Sequence, residues 1–208
     1  MPDFVLEEEM TGQGYTLICG VDEAGRGPWA GPVVAGAVVL DRQSLSDALR
    51  LGLDDSKKLK PPARAALFEI LQRECRIGVG LADVEEIDRL NILQATMLAM
   101  RRAVEDLGAP IPDLAFVDGN REPQMSCDVR TVVKGDALSL SIAAGSIVAK
   151  VTRDSIMAEL DVCHPGYGWA HNAGYGTAEH KAALDTLGVT PVHRKSFAPI
   201  RKMLSPDP

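Results

Sequence analysis

Short β-branched runs, long helix-periodic segments between them, and acids that recur at strand ends predict a mixed α/β sheet with helices packed on it. The chain has 208 residues, 46% hydrophobic and 25% charged, which suits one globular domain with a real core. Thr16–Val21 reads as the first strand. Pro32–Leu40 (PVVAGAVVL) reads as the second, β-branched and bounded by glycine and proline. Pro61–Cys75 predicts a helix, with two prolines at its start and Ala63, Ala66, Leu67, Ile70 and Leu71 on one face. Arg76–Val84 (RIGVGLADV) returns as a strand. The longest helix is expected over Val84–Leu107. There Ile87, Leu90, Leu93, Met97, Met100, Val104 and Leu107 recur at helical spacing until Gly108 and Pro110 stop it. Leu114–Asp118 (LAFVD) and Val129–Lys134 complete five strands, Ser141–Leu160 is helical, and Thr177–Leu187 is a last amphipathic helix before Gly188. No internal repeat or low-complexity linker interrupts the chain, so one domain is expected.

Composition narrows the function classes. A net charge of −7 and a pI near 5.1 argue against bulk electrostatic attraction to nucleic acid. Basic residues still cluster locally at Lys57, Lys58 and Lys60, at Arg101 and Arg102, and at His193, Arg194 and Lys195. An aromatic content of 4% speaks against a broad base-stacking platform. No apolar run approaches the roughly 20 residues of a membrane helix without glycines, prolines or charges, so no membrane is expected as a partner. The acidic start MPDFVLEEEM lacks the basic region of a secretory signal. Cys19, Cys75, Cys127 and Cys163 lie far apart without a CxxC pair, which predicts reduced thiols and a cytoplasmic protein. A monomer is expected.

The segment from Thr16 to Leu40 poses the chemical question. It is almost wholly apolar or small, yet Asp22, Glu23 and Arg26 interrupt it. A buried carboxylate must be paired, protonated or bound to a metal. Residues 25–30 formally fit GxGxxA, but that motif needs a helix facing a pyrophosphate. Here Pro28, Pro32 and the β-branched VVAGAVVL predict a strand, so a dinucleotide-dependent oxidoreductase is a poor reading. Cys163, His164, His171 and His180 fit no zinc signature. Ser146 and Lys150 stand at i and i+4 and can touch, but no oxyanion site accompanies them. The acids fare better. Asp22 and Glu23 follow the first strand, Asp118 ends LAFVD, and Asp136 follows VVKG. Carboxylates forced together must share protons or gather cations, and Mg2+ and Mn2+ favour such oxygen cages. A divalent-metal phosphotransfer site is the leading reading of the residues.

Seven blocks in order carry a resemblance. GVDEAGRGPWAGPVVAGAVVL, DDSKKL (54–59), FVDGN (116–120), KGDALSLSIAAGSIVAKVTRD (134–154), CHPGYGW (163–169), GYGTAEH (174–180) and HRKSFAP (193–199) are similar to bacterial ribonuclease HII over residues 16–200. The resemblance implies a ribonuclease H-like fold with an N-terminal extension over 1–15, a catalytic core over 16–160 and a small C-terminal helical region over 161–208 that packs on the core. It implies endonucleolytic cutting of RNA in RNA/DNA hybrids and of DNA duplexes containing ribonucleotides, with no nucleotide cofactor. By motif, Asp22, Glu23, Asp118 and Asp136 become the catalytic, metal-binding acids. Gly25, Arg26 and Gly27 become the sensor of the ribose 2′-hydroxyl, assisted by Tyr175. Lys57, Asn120, Ser139, Ser146, Lys150, Arg194 and Ser196 match positions near the bound backbone. Two departures stand out: Gly145 where alanine is commoner, and Ala173 where a lysine commonly precedes GYGT. A hybrid-binding module without catalysis would lack one of the four acids, and all are present.

The expected chemistry is in-line attack on phosphorus with two divalent ions, leaving a 3′-hydroxyl and a 5′-phosphate on the ribonucleotide side. Neighbours on a strand point to opposite faces. For both Asp22 and Glu23 to serve one cluster, the strand is expected to break there, with Gly25 and Gly27 permitting the break.

Overall fold

The computed structural model describes residues 1–205; the last three residues of the expected C-terminal region lie outside them. β1 (Ile18–Ala24), β2 (Val33–Val39), β3 (Arg76–Ala82), β4 (Leu114–Asp118) and β5 (Asp128–Val132) form one sheet in the order β3-β2-β1-β4-β5. β1 pairs antiparallel with β2 and parallel with β4. The parallel ladder ends at Val21↔Val117, and the next residue on each strand is an acid, Asp22 and Asp118. β2 is buried at every position but its last and β1 from Cys19 to Asp22, as strands covered on both faces must be.

α1 (Val5–Gly12), α2 (Asp47–Gly52) and α3 (Pro61–Glu74) come first among the helices. α3 begins on its two prolines, as expected. The expected helix Val84–Leu107 is two: α4 (Val84–Leu90) and α5 (Ile92–Asp106), divided at Asn91. Asn91 sits at φ 69, and its side chain accepts hydrogen bonds from the amides of Leu93 and Gln94, capping α5. With ψ at 161 this positive-φ backbone is rare for any residue but glycine, and the two capping bonds hold it, while the apolar stripe runs on across the break and conceals it. The longest helix is instead α6 (Leu140–Cys163), 24 residues. α7 (Trp169–Asn172), α8 (Ala178–Leu187) and α9 (Ala198–Leu204) follow.

α6 lies against β1 and β2 at backbone distance. A Cβ on Gly20 would stand 2.0 Å from the Ser141 carbonyl carbon, and one on Gly36 would stand 2.5 Å from the Gly145 carbonyl oxygen. Gly145 is the reciprocal contact, with no room for a Cβ beside Gly36 and Gly20. Its cost in helix propensity, about 1 kcal/mol, is thus offset by close packing.

A separate apolar cluster gathers Ala30, Met157, Tyr167, Trp169, Leu184 and Ile200 beneath the C-terminal helices. Inside it His180 and His193 face each other, Nε2 to Nε2, at 3.0 Å. The Thr190 amide donates to His193 Nδ1, so His193 carries its proton on Nε2 and donates to His180. His180 Nε2 also accepts from Trp169 Nε1, which leaves its Nδ1–H to donate to the Tyr175 carbonyl at 3.0 Å. Both rings are neutral in this network. Burial, reinforced by His180, pushes His193 down to about 4. A base depressed in the folded state stabilises fully above its unfolded value near 6.5 and progressively less as pH falls toward about 4. Replacing His193 by Gln should therefore flatten the loss of Tm between pH 7 and 4.5, where the parent forfeits up to about 3 kcal/mol. Thermal melts across that range check it, and parallel curves would refute the assignment.

Candidate active site

One cleft of about 470 Å³ opens where β1 and β4 end. Asp22, Glu23 and Asp118 supply one wall, and their carboxylate oxygens lie within 4.8 Å of one another. Among the described residues this is the single group of three or more acids, histidines or cysteines so placed. The strand does not break to achieve it. β1 runs unbroken through both acids to Ala24, still paired with β2 at Asp22↔Gly36 and Glu23↔Ala35. The pairing with β4 has ended by then, at Val21↔Val117, and the three carboxylates meet beyond that end without a break in β1.

Asp22 is buried. Its Oδ1 accepts from the Glu23 amide at 2.7 Å, whereas Oδ2 has no partner among the described residues. Burial first, then the charges of Glu23 and Asp118, holds its carboxyl well above the usual range. Burial also raises Asp118, with Glu23 adding to it. Asp136 stands outside the tight trio, on a 3-10 turn over Gly135–Ala137. The Gly135 amide donates to Asp118 Oδ1 at 2.7 Å, which ties that turn to β4. Lys57 Nζ lies 3.6 Å from Asp136 Oδ2. Burial pulls Lys57 down, but the charges of Asp22 and Asp136 outweigh it and hold the ammonium up.

The rest of the lining forms a largely cationic wall that includes the turn. Lys57, Lys150 and Tyr175 line the cleft with Gly25, Arg26 and Gly27. Gly25 sits at φ 94, and a Cβ there would stand 1.9 Å from Arg153 Nε, so only glycine fits. Arg26 Nη1 pairs with Glu23 at 3.2 Å. Ser146 is buried and bonds Ser56 at 2.8 Å. Arg64 and Arg153 also line the cleft, and sequence reasoning missed both. Arg153 had a signal: it follows Ser146 and Lys150 by seven and three residues on one helix face.

Four expected backbone contacts sit elsewhere. Ser139 is fully buried, bonded to Glu7 and capping α6 through the Ile142 amide. Arg194 is fully buried behind the glycine turn. Ser196 Oγ donates to Asp88 of α4 at 2.6 Å. Asn120 lines a larger groove, about 700 Å³, between α5 and the segment after β4. As expected, a strand rather than a helix follows the GxGxxA match. Cys163, His164, His171 and His180 form no ligand cluster among the described residues.

The ribonuclease HII family profile matches residues 19–200. The chain is 56% identical over 204 residues to the ribonuclease HII of Paramagnetospirillum magneticum, covering 98% of this chain and 99% of that one. The crystal structure of ribonuclease H2 from Pyrococcus horikoshii superimposes with a TM-score of 0.75 at 28% identity, covering 90% of this chain and 97% of that one. A ribonuclease HIII (Bst) crystallised in complex with Mn2+ shares the fold at a TM-score of 0.75 and 20% identity, covering 92% of this chain and 70% of that one. An acidic trio at the ends of two parallel strands, on a fold shared with these enzymes, agrees with the sequence match: the chain belongs to the ribonuclease HII family and is a ribonuclease H-type endonuclease.

Proposed function

We propose that the chain hydrolyses RNA in RNA/DNA hybrids and cuts 5′ of a ribonucleotide at RNA–DNA junctions or embedded in duplex DNA. The observation that carries this reading is one cleft holding both an acidic trio and a glycine turn. The buried, partnerless Oδ2 of Asp22 fits a hard divalent ion, because desolvated carboxylate oxygen is the donor Mg2+ and Mn2+ select. The Mn2+ in the ribonuclease HIII crystal is consistent with that donor set. Asp22, Glu23 and Asp118 would hold the metal, with Asp136 at the rim as a fourth ligand. A pair of such ions, when bound, activates the attacking water and stabilises the leaving 3′-oxygen. Asp22 is fixed by strand pairing and by the Glu23 amide, so its ligand oxygen arrives preorganised. Lys57 and Lys150 would take phosphate oxygens on the cationic wall, with Asn120 further along the strand. Gly25–Gly27 would approach the ribose through backbone groups, with the half-exposed ring of Tyr175 against the sugar. Four free cysteines suit a reducing cytoplasm.

A labelled duplex with one embedded ribonucleotide tests the reading. With Mg2+ or Mn2+ the expected product is a single cut 5′ of the ribonucleotide, with 3′-hydroxyl and 5′-phosphate ends. Ca2+, with longer and looser bonds, should support little turnover. Cleavage that survives chelation, or that falls elsewhere, overturns it.

A further inference from the structure

Arg194 and Arg153 are the two most deeply buried charges of the molecule, 0% and 1% exposed, and the cleft's own chemistry leaves them unexplained. Neither has a carboxylate within salt-bridge distance among the described residues. Every hydrogen bond either makes goes to a backbone carbonyl. Arg194 donates to Gly25 at 2.6 Å, Arg26 at 3.0 Å, Gly31 at 2.9 Å and Pro32 at 3.1 Å. Arg153 donates to Ala30, Pro32 and Ala173. Burying a guanidinium without a counter-ion is costly, and burial does depress both, Arg153 to about 10 and Arg194 to about 9. A structural fastener would not need that cost, because a neutral amide can hold a loop.

The peptide geometry relates the charge to the turn. Arg194 takes the carbonyl ends of the Gly25–Arg26 and Arg26–Gly27 peptide units. In a trans peptide the N–H points opposite to the C=O. The amides of Arg26 and Gly27 therefore face away from Arg194, and neither has an acceptor among the described residues. Residues 25–27 line the cleft, whereas Arg194 lies behind them. A cation on the carbonyl side draws electron density along each peptide and makes the opposite N–H a stronger donor.

We propose that Arg194 is the positioning residue of the ribose sensor: from behind the turn it aims and polarises the Arg26 and Gly27 amides toward the sugar's 2′-oxygen, with Arg153 holding the adjoining 30–32 segment. This rests on the proposed reading of Gly25–Gly27 as that sensor. It also replaces the expectation that Arg194 touches the bound backbone itself. Lysine keeps the charge but cannot serve four carbonyls from one planar fork.

The test compares Arg194→Lys with the parent for binding, in chelator, to an all-DNA duplex and to the same duplex with one ribonucleotide. The variant should keep its all-DNA Kd and lose about tenfold or more of the ribonucleotide preference, the size of one charge-assisted hydrogen bond. An unchanged preference overturns the proposal. A parent that shows no preference overturns the underlying reading instead, so the two failures are separable. If Arg194→Lys does not fold, amide exchange on the parent decides. The ribonucleotide duplex should protect the Arg26 and Gly27 amides beyond the all-DNA duplex; equal protection in a parent that still prefers the ribonucleotide overturns the proposal.

Discussion

Asp22→Asn is expected to lower single-turnover cleavage by about 10³-fold or more, while the metal-free variant melts no lower than its parent. The two halves share one cause. Asp22 is desolvated beside two other carboxylates, so without a cation its charge opposes folding. Asparagine is nearly isosteric and removes that charge, and its carbonyl still accepts from the Glu23 amide. What disappears is the anionic oxygen that holds a divalent ion, worth several kcal/mol in the transition state. Adding Mg2+ should raise the Tm of the parent by mass action and leave the variant nearly unmoved. Activity within tenfold of the parent, or a variant that Mg2+ still stabilises equally, would remove Asp22 from the metal site.

The second large effect concerns stability and needs no ligand. Gly20→Ala places a methyl carbon 2.0 Å from a backbone atom of α6, and backbone cannot rotate aside as a side chain can. The helix must lift from the sheet along its first turns. Overpacking of this kind costs about 3 kcal/mol or more, a Tm drop on the order of 10 °C for a chain of this length. Because α6 also delivers Ser146, Lys150 and Arg153 to the cleft, activity should fall further than stability alone explains. Gly12→Ala is the control: nothing lies within 4 Å of its Cβ, so its Tm should stay within a degree or two. A tolerated Gly20→Ala would show that α6 has slack which the packing denies.

The sequence was most legible where one physical demand dominates. Apolar strands must be buried and acids interrupting them must be compensated, so all five strands and the trio at their ends could be read directly. It was less legible where a short polar contact overrides periodicity. Asn91 breaks a continuous apolar stripe with one side chain, and α1 is secured by Glu7 reaching Ser139 and Ser141, well over a hundred residues away. Ser139, Arg194 and Ser196 show the limit of motif matching, which locates a residue along the chain without fixing where its side chain points. All three are spent on holding other elements: a helix cap, a turn and α4. Arg153 escaped notice for the opposite reason, since it looks like one more solvated cation on a helix.

β1 carries Asp22 and Glu23 and runs, after one further residue, into the turn at Gly25–Gly27. The acids and the turn therefore belong to one short stretch of backbone, braced by β2 on one side and by two buried guanidinium groups at its end. In the proposed reaction this stretch is a ruler. One mark is the phosphorus under attack, the other is the sugar being recognised, and the interval between them is set by peptide geometry rather than by a hinge. The cut cannot slide along the strand without carrying the recognised sugar with it, whatever bases lie alongside.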